Sequence, residues 1–202
     1  MKGDRRSPGH RPARGIRVTG GDLRGRTIRV PAGARPTVGR VREALFSIWQ
    51  EVLPAARLLD LFAGSGVVGV EALSRGALAV LAVELDPRAL RLLERNAREL
   101  GLEGVLRIRR GEAFDVLEML GREEAGAFEL VFADPPYSFT DHARLLRAVE
   151  PLLARDGQVA FEHSSRTRSP LEAGSLVRTD VRRYGESCLS FYRRPLESNP
   201  IF

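Results

Sequence analysis

The stretch over residues 58–71, LLDLFAGSGVVGVE, limits what this chain can fold into more than any other. Leu58, Leu59, Leu61 and Phe62 form a short apolar run of the kind a central parallel strand shows. Gly64, Ser65 and Gly66 follow at once, and two glycines let the backbone turn tightly and approach a ligand closely. Residues 67–73 then read as a helix whose unpaired N–H groups point back at the turn. A second apolar strand over 78–83 runs into Glu84, a carboxylate placed to accept the two hydroxyl protons of a ribose. A nucleoside-containing cofactor is expected across the two strand tips.

Two kinds of cofactor fit that description. Gly64, Gly66 and Gly69 have the spacing of a dinucleotide fingerprint, with an acid 20 residues on. Asp60 argues the other way. It sits inside the strand just before the turn, where a carboxylate would repel a pyrophosphate. It suits S-adenosylmethionine, which is cationic at sulfur and carries an ammonium. A plainer role for Asp60 is to accept backbone N–H groups of the turn.

At 202 residues the chain suggests one domain with an appendage: a basic, disordered arm over 1–15, a hairpin and helix over 16–53, and a catalytic domain over 54–202. No apolar run reaches membrane-span length, and a single cysteine, Cys188, fits a reducing cytosol and reads as a small core residue. His10, His142 and His163 are too scattered for a metal site, so no metal is expected. Residues 1–42 carry twelve basic side chains against Asp4 and Asp22, a net of +10. The other 160 residues hold 20 basic and 24 acidic side chains, a net of −4. A basic arm on a mildly acidic body points to nucleic acid as partner, with a solvated tail as the bland alternative.

Residues 16–30 read as two short strands around a glycine-rich turn, with Arg17, Arg24, Arg26 and Arg29 available to a phosphate backbone. Residues 31–36 form a linker. Val41, Leu45, Ile48, Trp49 and Val52 fall at helical spacing over 39–51. Arg40 and Arg42 lie in the first turn of that helix, where its dipole disfavours cations, so both are expected to face something anionic. Strands over 58–62, 78–84, 105–109, 129–133 and 158–162 alternate with helices over 67–74, 87–100, 113–120 and 141–153. That alternation means a doubly wound, mostly parallel α/β sheet. Strands over 176–183 and 187–193 are too close for a crossover helix and should pair as an antiparallel hairpin. A doubly wound sheet that finishes in such a hairpin is the Rossmann-like architecture of class I methyltransferases.

The fourth sheet strand ends in Asp134, Pro135, Pro136 and Tyr137. The two prolines remove two N–H donors and fix the backbone, so their carbonyls are expected to face the crevice at the strand tips. Methylation of an exocyclic base amine calls for these groups. Such an amine is a poor nucleophile, and two acceptors that grip its hydrogens stabilise the positive charge that builds on nitrogen. Tyr137 can stack on the base once it has left its helix or loop.

The tetrapeptide DPPY resembles the motif of amino-methyltransferases, and FAGSG their cofactor loop. Together with GGDLRGRTIRVP, RPTVGRVREALFSIW and LLDLFAGSGVVGVEALSRGA, they make residues 16–195 closely similar to the RsmD family. The resemblance implies transfer of a methyl group from S-adenosyl-L-methionine to N2 of one guanine in bacterial 16S ribosomal RNA. The substrate would be a protein-bound form of the small subunit and the enzyme a cytoplasmic monomer. It implies that Asp134, Pro135, Pro136 and Tyr137 are catalytic. It assigns Asp60, Phe62, Ala63, Gly64, Ser65 and Gly66, with Glu84 and Leu85, to the cofactor. Glu112 and Ala113 would contact the adenine ring, and Thr37 and Arg40 would line the site beside the methionine end. Arg17, Arg24, Arg26, Arg29 and Arg42 would meet RNA. The chain departs from the family at Val38 and Gly39, where a hydroxyl residue and an Asp are usual, and at Glu112, usually Asp. An N6-adenine or N4-cytosine methyltransferase acting on DNA or other RNA is the alternative, because DPPY does not name its base. An NAD-dependent oxidoreductase leaves DPPY unexplained, and a non-catalytic RNA-binding module leaves both DPPY and Glu84 idle.

Overall fold

The computed structural model describes residues 14–31 and 38–195. Residues 1–13 of the expected arm, 32–36 of the expected linker, Thr37 and 196–202 lie outside the described residues, whereas Arg14 and Gly15, expected in the arm, belong to a strand. β1 (Arg14–Arg17) and β2 (Thr27–Val30) pair antiparallel as a separate two-stranded sheet, with Ile16 opposite Ile28. α1 (Val38–Ile48) follows. The main sheet then takes shape from β3 (Arg57–Leu61), α2 (Val67–Ser74), β4 (Ala79–Glu84), α3 (Pro87–Leu100), β5 (Leu106–Arg110), α4 (Ala113–Glu123), β6 (Phe128–Ala133) and α5 (His142–Val149). β7 (Leu153–Ser164), the short β8 (Glu172–Ala173), β9 (Leu176–Tyr184) and β10 (Ser187–Arg193) complete it. The strand order is β5-β4-β3-β6-β7-β10-β9-β8. Strands β3 to β7 are parallel, and β10 enters antiparallel beside β7.

Two cores cover the two faces of the sheet. Along β3, Leu58 faces the core shared with α1, α2 and α3, whereas Leu59 and Leu61 face the core shared with α4 and α5. This is the period of two that side chains follow along any strand. Asp60 falls on the Leu58 side and so points toward α2. Neighbours in the strand order depart from chain order at β3 and β6, which opens a crevice beyond their C-terminal tips, where open α/β sheets bind ligands.

Local chemistry explains the boundaries. Asp86 caps α3 by accepting from the Arg88 N–H, Pro87 takes the first helical position and Gly101 ends the helix at φ 70°. α5 is shorter than the 141–153 span of its pattern, because Pro151 turns the chain through a 3₁₀ segment over Glu150–Leu152. β7 begins five residues before its expected start, with a register shift between Phe128 and Leu130 that Gly157 accommodates: a Cβ there would sit 3.1 Å from the Phe128 carbonyl. β8 is too short to show alternation and was invisible in the sequence. α1 buries Val41, Leu45 and Phe46, and Trp49 is buried just beyond its end, whereas Ile48 and Val52 are exposed. Cys188 is buried in β10. No helix among the described residues is long and apolar enough to cross a membrane, and no cluster of potential metal ligands occurs among them.

Candidate active site

The cofactor turn is built by backbone geometry. Phe62 leaves β3 at φ 61°, the left-handed region that a bulky residue rarely occupies, and so marks strain at the strand tip. The expected strand end at Phe62 therefore moves back to Leu61. Gly66 caps α2 at φ 80°, and a Cβ there would lie 2.3 Å from Leu93 Cδ1, so neither the backbone nor the packing admits a side chain.

Two carboxylates hold this turn in place. Glu84, at the tip of β4, accepts from Gly64 N–H at 2.6 Å with one oxygen and from Leu85 and Asp86 N–H at 2.8 and 2.7 Å with the other. A carboxylate has about four lone-pair sites, so Glu84 can organise the loop and still accept from a ligand hydroxyl. Asp60 is buried, and its Oδ2 accepts from Gly69 N–H in the first turn of α2 at 3.1 Å. Burial raises its pKa from an ordinary carboxylate value to about 7, with the nearby Glu84 charge adding and the Gly69 hydrogen bond opposing. Of the two roles offered by the sequence, the structure shows the plainer one: Asp60 accepts from a backbone N–H in the first turn of α2.

That raised pKa has a stability consequence. The fold disfavours ionised Asp60, so wild type should gain stability as pH falls from 8 toward 6, where Asp60 takes up a proton that the unfolded chain does not. Buried His142 and His163 have lowered pKa values through desolvation and push the other way below their ordinary range. The urea midpoint of wild type minus that of Asp60→Asn should therefore rise on acidification over this interval. A difference independent of pH would remove the raised pKa.

The nucleoside cleft lies beside this turn. A cavity of about 560 Å³ is lined by Phe62, Glu84, Leu85, Gly111, Glu112, Ala113 and Pro136, among others. Glu112 caps α4 through Phe114 N–H at 2.7 Å and Asp115 N–H at 3.4 Å, so an acid at this position is needed for the helix as well as for any ligand. Leu85 is exposed at the cleft's lip. The lining fits the nucleoside of S-adenosylmethionine: carboxylates beside an apolar slot wide enough for a purine.

DPPY closes the crevice on the β6 side. Asp134 is exposed, Pro135 buried, and Pro136 lines the cleft. The Pro136 carbonyl accepts from Phe139 N–H at 2.8 Å, so it closes a turn and does not face the crevice, which corrects the expectation for that carbonyl. Tyr137 is 42% exposed, and its hydroxyl lies 3.0 Å from Ser187 Oγ. Phe139 packs between Phe62 and Phe114, with ring centroids 6.1 and 6.2 Å apart, and so joins the DPPY loop to the glycine turn. Nothing local to the sequence marked Phe139 or Ser187 as part of the site; DPPY two residues upstream is the nearest signal for Phe139.

Arg42 does not meet the expectation placed on it. It is 4% exposed, bonds the Arg17 carbonyl at 3.1 Å and lies 3.7 Å from Glu71. The anion that its place in α1 called for is internal, and the guanidinium is shut away from any RNA. Arg29 pairs with Glu99 of α3 at 2.9 Å, and Arg26 donates to the Glu99 carbonyl. The hairpin tip, with Arg24, is anchored to Ser74 at the last turn of α2, the end away from the glycine turn. Arg17 and Arg24 are exposed, as is Arg40. Buried Asn96 bonds Arg29 N–H and both the Arg29 and Ser65 carbonyls, so β2 is pinned to the cofactor loop.

The family described as Conserved hypothetical protein 95 matches residues 16–193. Ribosomal RNA small subunit methyltransferase D of Escherichia coli (strain K12) is 36% identical over 171 residues, 84% of this chain and 82% of that one. The chain belongs to the RsmD family. The YlbH protein of Bacillus subtilis (strain 168) is 33% identical over 183 residues, 89% of this chain and 99% of that one. The solved structure of the yhhF protein from Escherichia coli superposes with a TM-score of 0.79 at 31% identity, covering 89% of this chain and 98% of that one. The family membership spans both the nucleoside cleft and the DPPY loop, as the sequence led one to expect.

Proposed function

We propose that this chain methylates the exocyclic N2 amine of a guanine in 16S ribosomal RNA, within the small subunit or an assembly intermediate, with S-adenosyl-L-methionine as methyl donor. One observation carries the reading: Pro136 belongs both to the wall of the nucleoside cleft and to the tetrapeptide that presents Asp134 and Tyr137. A base amine held by DPPY is thereby brought beside a cofactor held by Glu84. The small-subunit rRNA substrate follows from the relative's name, and N2 of guanine from the family.

When bound, the cofactor supplies an electrophilic methyl group. Glu84 and Glu112 orient its nucleoside, and Asp60 favours its positive end. The Asp134 carboxylate and the Pro135 carbonyl accept the two amine hydrogens, which draws the nitrogen lone pair out of conjugation. The nitrogen would take the methyl group as the C–S bond to the donor breaks and S-adenosylhomocysteine is left; Asp134 stabilises the charge gained by the nitrogen until one of its protons passes to water. Tyr137 stacks on the base, its ring held by Ser187. Among the described N-terminal residues, Arg17, Arg24, Arg26 and Arg40 are exposed and available to phosphate.

Titration calorimetry with S-adenosylhomocysteine tests the cofactor half. Wild type should bind it and not NAD. Glu84→Ala should bind about 1–3 kcal/mol more weakly, the range for losing charge-assisted hydrogen bonds. Unchanged affinity in a folded variant would take the ribose away from Glu84.

A further inference from the structure

DPPY shares the mouth of the crevice with a second element. β7 is parallel to β6, pairs Phe161 with Ala133, and continues through Glu162, His163 and Ser164. At about 3.3 Å per residue, its end stands roughly 10 Å beyond the level of Ala133. β10 begins there, with Ser187 opposite Ser164, and β9 ends there, with Tyr184 opposite Ser187. Ser165 N–H donates to the Glu186 carbonyl at 2.7 Å, which joins the loop after β7 to the β9–β10 turn. The bond between Ser187 and Tyr137 joins that turn to the catalytic loop. Ser187 is 1% exposed, so the anchor is set in the core.

This edge is basic. Residues 164–168 contribute Arg166 and Arg168, and residues 182–187 contribute Arg182 and Arg183 against Glu186. All four arginines are exposed. The loop that carries the first two is folded by Thr167 N–H to the Ser164 carbonyl at 3.0 Å and Arg166 N–H to Ser164 Oγ at 3.2 Å. Arg182 is turned toward Asp180 at 2.7 Å. Arg166 meets Glu186 at 3.1 Å with both side chains at least 75% exposed, a pair that an arriving phosphate displaces at little cost.

We propose that Arg166, Arg168 and Arg183 form a phosphate clamp that holds the RNA backbone flanking the target nucleotide. The proposal rests on the RNA-methylation reading above and adds where the strand is gripped. A base that reaches Asp134 has left its stack, and its flanking phosphates stay at the lip of the crevice. Guanidinium forks suit phosphate oxygens, and each contact releases counterions. Because Ser187 ties this edge to Tyr137, one rigid unit sets the backbone and the base together. The hairpin tip is instead anchored at the last turn of α2, the end away from the glycine turn.

Filter binding of small-subunit ribosomal RNA over a salt series tests the clamp. The full chain is compared with the triple variant Arg166→Gln, Arg168→Gln, Arg183→Gln, and with Arg122→Gln in the last turn of α4 as a control for charge loss elsewhere. The triple variant should lose about 0.7–0.9 of log–log salt slope per contact, hence roughly 2–3 in all. Its S-adenosylhomocysteine affinity and thermal midpoint should match wild type, and Arg122→Gln should keep the wild-type slope. An unchanged slope in the triple variant, or an equal loss in Arg122→Gln, overturns the clamp. If wild type binds the RNA without methylating it, the activity reading fails while the slopes still decide the clamp. If wild type binds no RNA, both fall.

Discussion

Asp134→Ala should lower methyl transfer by about two to three orders of magnitude, the cost of removing one group aimed at charge that develops in the transition state. Asp134 is exposed just past the tip of β6 and belongs to neither core, so the fold should stand. Glu84, Asp60 and Glu112 remain, so S-adenosylhomocysteine should bind the variant as it binds wild type. The expected signature is a loss in kcat with cofactor affinity kept. A variant that retained activity within a few fold would leave the amine to the Pro135 carbonyl alone and remove Asp134 from the chemistry. Single-turnover assays alongside calorimetry separate these outcomes.

Glu71→Ala should be the most damaging change away from the crevice. Glu71 is fully buried in α2, yet it accepts from Thr19 N–H and Oγ at 2.9 and 2.6 Å, from Gly20 N–H at 3.0 Å and from Arg75 Nε at 2.9 Å, with Arg42 at 3.7 Å. Its removal leaves a buried guanidinium and several donors without their acceptor. Breaking a buried ionic network from one side costs about 3–5 kcal/mol. For a chain of this size that corresponds to a fall of roughly 6–20 °C in thermal midpoint. Amide exchange should rise first in β1 and β2, whose connecting turn depends on Glu71 and Ser74. Glu71→Gln keeps an acceptor and should fall less. A midpoint unchanged in the alanine variant would mean that the arginines find water, and the network would not hold the hairpin.

The same residue shows where sequence reasoning stopped. Nothing in VVGVEALS announces a buried acid network, because the partners of Glu71 at Thr19, Gly20 and Arg42 lie 29 or more positions away. Arg42, expected to face RNA from its place at the start of a helix, meets Glu71 and the Arg17 carbonyl instead. Its sign was read correctly, since a cation in a first helical turn does need an anion, but the anion lies in α2. The parallel strands were legible because apolar runs bounded by glycine and proline have few other uses. The places of Glu84 and Asp134 were legible because each follows an apolar run that could only be a parallel strand, and the structure sets both at strand tips. Ser187 was not, since it reaches Tyr137 through pairing between distant strands, which no local pattern encodes. The positive φ of Phe62 was hidden for a different reason: nothing in the residue type asks for it.

The most direct measurement is mass spectrometry of small-subunit ribosomal RNA, taken unmethylated at the target, after incubation with the protein and S-adenosylmethionine. The methyl donor cleft and the DPPY loop together predict one new N2-methylguanine at a single position, absent when Asp134→Ala replaces wild type. A methyl group on adenine or cytosine, or no methylated nucleoside from a protein that binds S-adenosylhomocysteine, would contradict the assignment.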